Sequence, residues 1–322
     1  MKNKTKTEVK RTSIGGQALI EGVMMRGPQK TALAVRHTSG EIRMDSWDNE
    51  KSKRYGFFNL PFVRGIFNFI DSMCTGYKSL MRSAELSGLE DDMQNTTTTN
   101  QQTSGRNQTN NDLMMKLLMA VAAVLGIVLA IFLFTWLPTF IYGLLKMAVS
   151  SLNNRYLQAI FEGLLKMTIF LGYLCLVSLM KDIKRTFMYH GAEHKTIFCY
   201  ENGLELTADN VRKQCRFHPR CGTSFIILML LIGIFVSMLI PHTLNSFLRT
   251  VIKILCLPFI MGIGYEAIKL AGRKNNQFTR IISAPGLWVQ RISTKEPTDD
   301  MIECAIKAFK SVIPESGQLS NS

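Results

Sequence analysis

Between residues 190 and 221 the chain concentrates side chains that bind metals and move protons. The stretch opens His190-Gly191-Ala192-Glu193-His194 and closes Cys215-Arg216-Phe217-His218-Pro219-Arg220-Cys221, and it holds three of the five histidines and three of the seven cysteines. Two histidines four residues apart share one face of a helix. The glutamate beside the second completes an H-x-x-E-H pattern, in which a zinc site carries its own general base. The closing C-x-x-H-x-x-C offers ligand types that a borderline-soft metal accepts. On this reading His190 and His194 are ligands to a divalent metal of the zinc type, His218 and Cys221 complete the set, and Cys215 is the substitute ligand. Glu193 is the catalytic residue: the metal lowers the pKa of a bound water toward ~7, and the carboxylate takes its proton.

Blander readings compete with this one. Two histidines and two cysteines also make a purely structural site, which has no use for Glu193. Histidines beside a membrane can contact headgroup phosphates together with Lys195, Arg212, Lys213, Arg216 and Arg220. A Cys–His nucleophile pair using Cys199 or Cys221 has no supporting signature. Elsewhere, Glu21 and Arg26 flank Gly22-Val23-Met24-Met25. Two opposite charges on a glycine-punctuated loop suit substrate binding, and equally a tight structural turn. His37 and His242 carry no functional signal.

The elements that must position these residues are set by hydropathy and charge. No charged residue occurs from Leu117 to Leu145 or from Gly222 to Leu248, and both runs exceed the roughly 20 residues that cross hydrocarbon. A third run, Ile160 to Met180, carries Glu162 and Lys166 near one end, spaced to pair at the interface. A fourth, Phe247 to Tyr265, contains Lys253, Pro258, Gly262 and Gly264, so it reads as a span or as a re-entrant hairpin. Lys and Arg number 17 in residues 1–116, 8 in residues 181–222 and 8 in residues 269–322, against only Lys146 and Arg155 in residues 146–159 and only Arg249 where the loop enters the fourth run. The positive-inside rule therefore predicts cytoplasmic termini and a cytoplasmic 181–222 loop. That topology accounts for most of the net charge of +14. Membrane lipids are the economical partners of the basic residues; nucleic acid is not, since no basic face interleaved with aromatics or known module is present. Cysteines on a reducing side are ligands or buried thiols rather than disulfides.

The expected fold is thus an α-helical multi-pass membrane protein of about four transmembrane helices with a small α+β N-terminal cytoplasmic domain. Its divisions are a flexible tail (1–12), the N-terminal domain (13–94) and a disordered linker of Asn, Thr and Gln (95–112). Spans at 113–145 and 160–180 follow, then the metal-site loop (181–222), spans at 223–241 and 247–267, and a cytoplasmic C-terminal segment (268–322). Within the first domain, 31–36 and 41–47 read as a hairpin. Val63, Ile66, Ile70, Met73, Tyr77, Leu80 and Ala84 step at helical spacing, with Pro61 to start the helix and Gly88 to end it. Such a stripe ordinarily faces a core; Phe57, Phe58, Phe62 and Phe69 broaden it toward what suits a helix on a membrane surface. The second span is expected to continue as one helix to His190, about 15 Å beyond the bilayer edge at 1.5 Å per residue, and to end at Asn202-Gly203. Thr207 caps a short helix through Val211. Residues 273–297 read as irregular, and a last helix opens at Thr298-Asp299-Asp300 with Ile302, Ala305, Ile306 and Phe309 on one side.

Four blocks resemble a bacterial membrane family of unknown function, the YqhQ-like proteins. They are Gly15-Gly16-Gln17-Ala18-Leu19-Ile20-Glu21-Gly22-Val23-Met24-Met25-Arg26, His190 to Lys195, His218 to Phe225, and Ala284-Pro285-Gly286-Leu287-Trp288-Val289-Gln290-Arg291 followed by Lys295-Glu296-Pro297. The resemblance runs from about Ser13 to Phe309. It implies a bacterial inner-membrane protein and groups His190, Glu193, His194, His218 and Cys221 as one unit, while Cys215 lies outside the blocks. The family is described as predicted metal-dependent enzymes, and no substrate comes with the likeness. Two functions are expected from the sequence: a metal-dependent hydrolase acting on a membrane-proximal substrate, or a metal-stabilised scaffold or assembly factor without chemistry.

Overall fold

A computed structural model describes residues 12–49, 60, 62–88, 108–148, 154–241, 243–273 and 276–313. The expected 1–11 tail, most of the 95–112 linker, Pro61 and His242 lie outside them. Four strands, β1 (Gly15–Leu19), β2 (Gly22–Arg26), β3 (Lys30–Arg36) and β4 (Ile42–Asp48), form an antiparallel meander in the order of the chain. Gly16 pairs with Met25, Met24 with Leu33 and Ala34 with Met44. The hairpin expected at 31–47 is the β3–β4 pair.

Ten helices follow among the described residues: α1 (Val63–Ser87), α2 (Gln108–Ile131), α3 (Leu137–Ala148), α4 (Arg155–Val177), α5 (Lys181–Glu201), α6 (Ala208–Arg212), α7 (Gly222–Leu239), α8 (Ser246–Arg273), α9 (Gln277–Ser293) and α10 (Asp299–Lys310). A single π-turn, Phe132–Trp136, joins α2 to α3. Stretches 120–148, 155–177, 222–239 and 246–270 are long and apolar enough to cross a membrane, which marks the chain as a membrane-protein candidate on four counts. The fourth is one continuous helix despite Pro258.

Both faces of the sheet are covered, and this explains why β2 and β3 are apolar almost throughout instead of alternating. Val23, Met25, Ala32 and Ala34 pack with Tyr189, Ala192 and Ile197 of α5 and with Ile302, Ala305 and Phe309 of α10. Leu19, Met24, Leu33 and Val35 pack on the other side against Leu80 and Leu86 of α1. The sheet therefore has no private core. Its interior is completed by helices from the middle and the end of the chain.

Four local expectations are corrected. The apolar stripe of α1 is not core-facing along its length: Ile70, Met73 and Tyr77 are exposed, while the buried face consists of Gly65, Gly76, Ser79, Ser83 and Ser87. Small residues let α1 approach its neighbours closely and leave Ile70, Met73 and Tyr77 outward, while Leu80 still packs against the sheet. Second, α4 does not run on to His190. Leu179 and Met180 close onto the carbonyls of Leu176 and Val177, three residues back, and α5 starts afresh at Lys181; such tightened bonds end a helix. Third, Glu162 does not pair with Lys166. Its carboxylate accepts from Lys253 on α8 and from Gln158, because a lysine buried on a neighbouring apolar helix needs the partner more. Fourth, residues 277–293 are helical, not irregular. Asn276 and Thr279 form a reciprocal capping box at its start, and packing against α7 overrides the Pro285-Gly286 break.

Candidate metal centre

Helix α5 presents His190, Glu193 and His194 where it crosses beneath the sheet, and Cys221 is the residue from which α7 starts. The two anchors bring three ligands together: ligand atoms of His190, His194 and Cys221 all lie within 4.8 Å of one another. His190 Nε2 is 3.2 Å from Cys221 Sγ, and the two imidazole rings stand 4.4 Å apart, edge to face. The Thr223 hydroxyl sits 2.9 Å from the same sulfur.

The tautomers follow from the outer partners. His190 Nδ1 lies 2.9 Å from the Ser293 carbonyl and His194 Nδ1 lies 2.5 Å from the Arg216 carbonyl. A carbonyl only accepts, so each Nδ1 carries a proton and each Nε2 is left for the centre, as outer hydrogen bonds do for ligating histidines. Burial disfavours a charged His190, yet Cys221 and Glu193 beside it push its pKa up to about 9. Burial likewise raises the Cys221 thiol, but His190 and His194 hold it well below the ordinary thiol range. Both shifts favour the thiolate form of Cys221, which is the form that ligates a metal. An ion with bonds of ~2.0–2.3 Å would draw the trio together, since tetrahedral ligands at those lengths stand roughly 3.3–3.8 Å apart.

Glu193 is 4% exposed. Burial raises its carboxyl above the usual range, while His194, His190 and the Gly16 backbone pull the other way. A Cβ at Gly16 would stand 2.7 Å from Glu193 Cγ, so only glycine at this position leaves the carboxylate its room. A cavity of about 230 Å³ opens here, walled by Ser13 to Gly16 on one side and by the histidines, Glu193 and Cys221 on the other. Arg220 fastens that N-terminal wall by donating to the Thr12 carbonyl at 2.6 Å and to Glu201.

His218 lines the same cavity but lies outside the trio of convergent ligands; its ring is 5.4 Å from that of His194 and 4.8 Å from Phe198. Burial, with His194 and Arg220 nearby, holds it neutral, well below the ordinary histidine range. Cys215 is exposed and accepts from the Phe217 amide, away from the centre. Glu21, at a positive φ of 52° in the β1–β2 turn, pairs with Arg185 of α5, and Arg26 pairs with Asp71 of α1 at 2.7 Å.

Sequence reasoning missed the support from α9. Gln290, fully buried, accepts from the His218 amide at 2.7 Å, donates to the His218 carbonyl at 2.7 Å and reaches the Ser224 hydroxyl at 2.9 Å. Ser293 supplies the carbonyl on His190. The only signal was their position in or beside the Ala284–Arg291 block.

The model of a family described as "Protein of unknown function (DUF1385)" matches residues 60–315. The chain belongs to this family. It is also similar to the "Uncharacterized protein YqhQ" of Bacillus subtilis (strain 168), 36% identical over 301 residues that cover 93% of this chain and 92% of that one. The family match takes in α1 to α10 and every residue of the trio, while the similarity to the Bacillus protein extends to nearly the whole length. No solved structure matches the chain.

Proposed function

We propose that the chain is a membrane-embedded metal-dependent enzyme, a hydrolase of the zinc type that acts at the cytoplasmic face of the bacterial inner membrane on a membrane-proximal substrate. One observation carries this: among the described residues three ligands converge, not four, and a buried carboxylate and a cavity stand beside them. Structural zinc sites close with four protein ligands, whereas catalytic ones leave a position open. A divalent metal bound by His190, His194 and Cys221 would supply Lewis acidity and an acidified water. Glu193, buried beside the ligands with its pKa raised, is placed to take a proton from such a water. Ser293 and Arg216 orient the ligand imidazoles through their carbonyls, and Gly16 makes room for the carboxylate. The cytoplasmic placement rests on the Lys/Arg asymmetry of the loops. An impermeant thiol reagent in intact cells should label a cysteine at Met147 and spare one at Asn202.

Metal analysis of the purified full chain is the direct test. One equivalent of zinc is expected in wild type and in Glu193→Gln, and none in His194→Ala or Cys221→Ser. Glu193→Gln should then fail to complement a deletion strain. Complementation at wild-type level by a metal-replete Glu193→Gln would sink the hydrolase and leave a metal-stabilised scaffold.

A further inference from the structure

A second cluster of charge lies at the opposite end of the apolar helices. Arg249 and Lys253 project from α8 and Glu162 and Lys166 from α4, three cations against one carboxylate among the described residues. Glu162 is paired with Lys253, which also donates to the Thr139 hydroxyl of α3 at 2.6 Å. Arg249, 1% exposed, gives one nitrogen to the Pro241 carbonyl at 2.6 Å and stands 3.9 Å from Glu162. Its Nε and Nη2 have no hydrogen-bond partner, and neither has the Ser237 hydroxyl, 4% exposed. No carboxylate of the described residues lies within ion-pair distance of Lys166. Excess charge among apolar helices is costly and marks a place where something else supplies the counter-charge.

Four of those side chains, Glu162, Lys166, Lys253 and Ser237, line a cavity of about 260 Å³ between α4, α7 and α8; apart from Thr135 the rest of its wall is apolar and reaches Ile226 and Ile260. Ser237 and Ile226 are both on α7, so the cavity runs about 16 Å along that helix at 1.5 Å per residue. Its charged lining is Glu162, Lys166 and Lys253, and most of the remainder is apolar. Glu162 and Lys253 lie seven residues, about 10 Å, inside the starts of α4 and α8, and Lys166 lies eleven residues, about 16 Å, inside the start of α4; long lysine side chains extend toward the nearer surface.

We propose that this cavity binds one anionic phospholipid, its phosphate held by Lys166 and Lys253 with Ser237 donating, and one acyl chain lying along α7. The proposal rests on the four apolar helices being in a bilayer and is independent of the metal centre. Charge complementarity selects the anion. The apolar remainder selects a lipid over free phosphate.

The full chain, purified in detergent, should be exposed to phosphatidylglycerol, phosphatidylcholine or inorganic phosphate and followed by native mass spectrometry and thermal unfolding. One phosphatidylglycerol per chain is expected to survive activation, with at least tenfold less phosphatidylcholine. Lys166→Met, which breaks no hydrogen bond, should lower phosphatidylglycerol retention at least tenfold and leave the lipid-free melting temperature unchanged; Ser237→Ala should lower it less. Equal retention of the two lipids, wild-type retention by both variants, or equal stabilisation by inorganic phosphate would each overturn the site. Release of the chain from membranes by carbonate would instead overturn the bilayer placement itself, before any lipid arm is read.

Discussion

Cys221 Sγ lies 3.2 Å from His190 Nε2, thirty-one residues earlier in the chain and on a different helix. The contact joins α5 to the N-cap residue of α7, so anything that binds there fastens those two helices together. Metal binding and folding are then coupled. Chelation should lower the melting temperature in detergent; an ion at a thousandfold excess over its Kd contributes roughly 4 kcal/mol. His194→Ala and Cys221→Ser should each abolish the metal-dependent part, and the double variant should lose no more than either single. Independent, additive losses in calorimetry would mean that the two motifs do not share one ion.

Gly16 and Glu193 form a second pair across elements. Gly16→Ala places a methyl 2.7 Å from the Glu193 side chain, and overpacking of that kind costs roughly 1–3 kcal/mol. The cost should fall by about 1 kcal/mol or more in a Glu193→Ala background, where the obstruction is gone. Thermal unfolding of the four proteins in the cycle measures it, and a coupling near zero would place the carboxylate elsewhere.

Gly191 tests packing against propensity. Alanine there should add about 1 kcal/mol of helix propensity. Yet its Cβ would meet the Lys295 carbonyl oxygen at 2.0 Å, a backbone atom that cannot swing away. The clash wins, so Gly191→Ala is expected to be destabilising by more than that gain and to weaken metal retention as well, since Ser293 lies two residues before Lys295. A more stable variant with full metal content contradicts this.

Glu296 holds two cations of the site loop, Lys195 at 2.6 Å and Arg216 at 2.5 Å, and the Lys195 side chain is only 5% exposed. Burial raises the Glu296 carboxyl, but the hydrogen bonds from Lys195 and Arg216 prevail and hold it below the usual carboxylate range. A lowered folded pKa gives stability that is present above the unfolded value near ~4.3 and is lost as pH falls through the folded one. Glu296→Gln should cost roughly 1–2 kcal/mol at neutral pH, limited by the solvent exposure of Glu296. Its disadvantage should shrink below pH 4. A penalty independent of pH would show that packing, not charge, is at work.

Much of this centre was readable in the chain. Histidines four apart need only a helix to share a face, and Cys221 had to be near a span that starts at Gly222. What the residues could not reveal was which of His218 and Cys221 converges, because that depends on how the 215–221 turn is held, and Gln290 holds it from 72 residues away. Helix α9 was hidden by Pro285-Gly286, whose local cost is outweighed by contact with α7. The outward stripe of α1 was misread for a related reason: apolar periodicity shows that two faces differ and not which one meets the protein, and here the glycines and serines do.

The sheet that walls the centre closes its core on α10, near the end of the chain. During synthesis β1 to β4 precede α5, which covers part of one apolar face, and that face stays incompletely covered until about 250 further residues have been made. Such distant contacts are slow to form, and an uncovered sheet is prone to wrong partners in the interval. The face of the sheet that carries Val23, Met25, Ala32 and Ala34 is therefore complete only once Asp299 to Lys310 have been made, and a chain truncated before Asp299 should be cleared by proteases rather than accumulate.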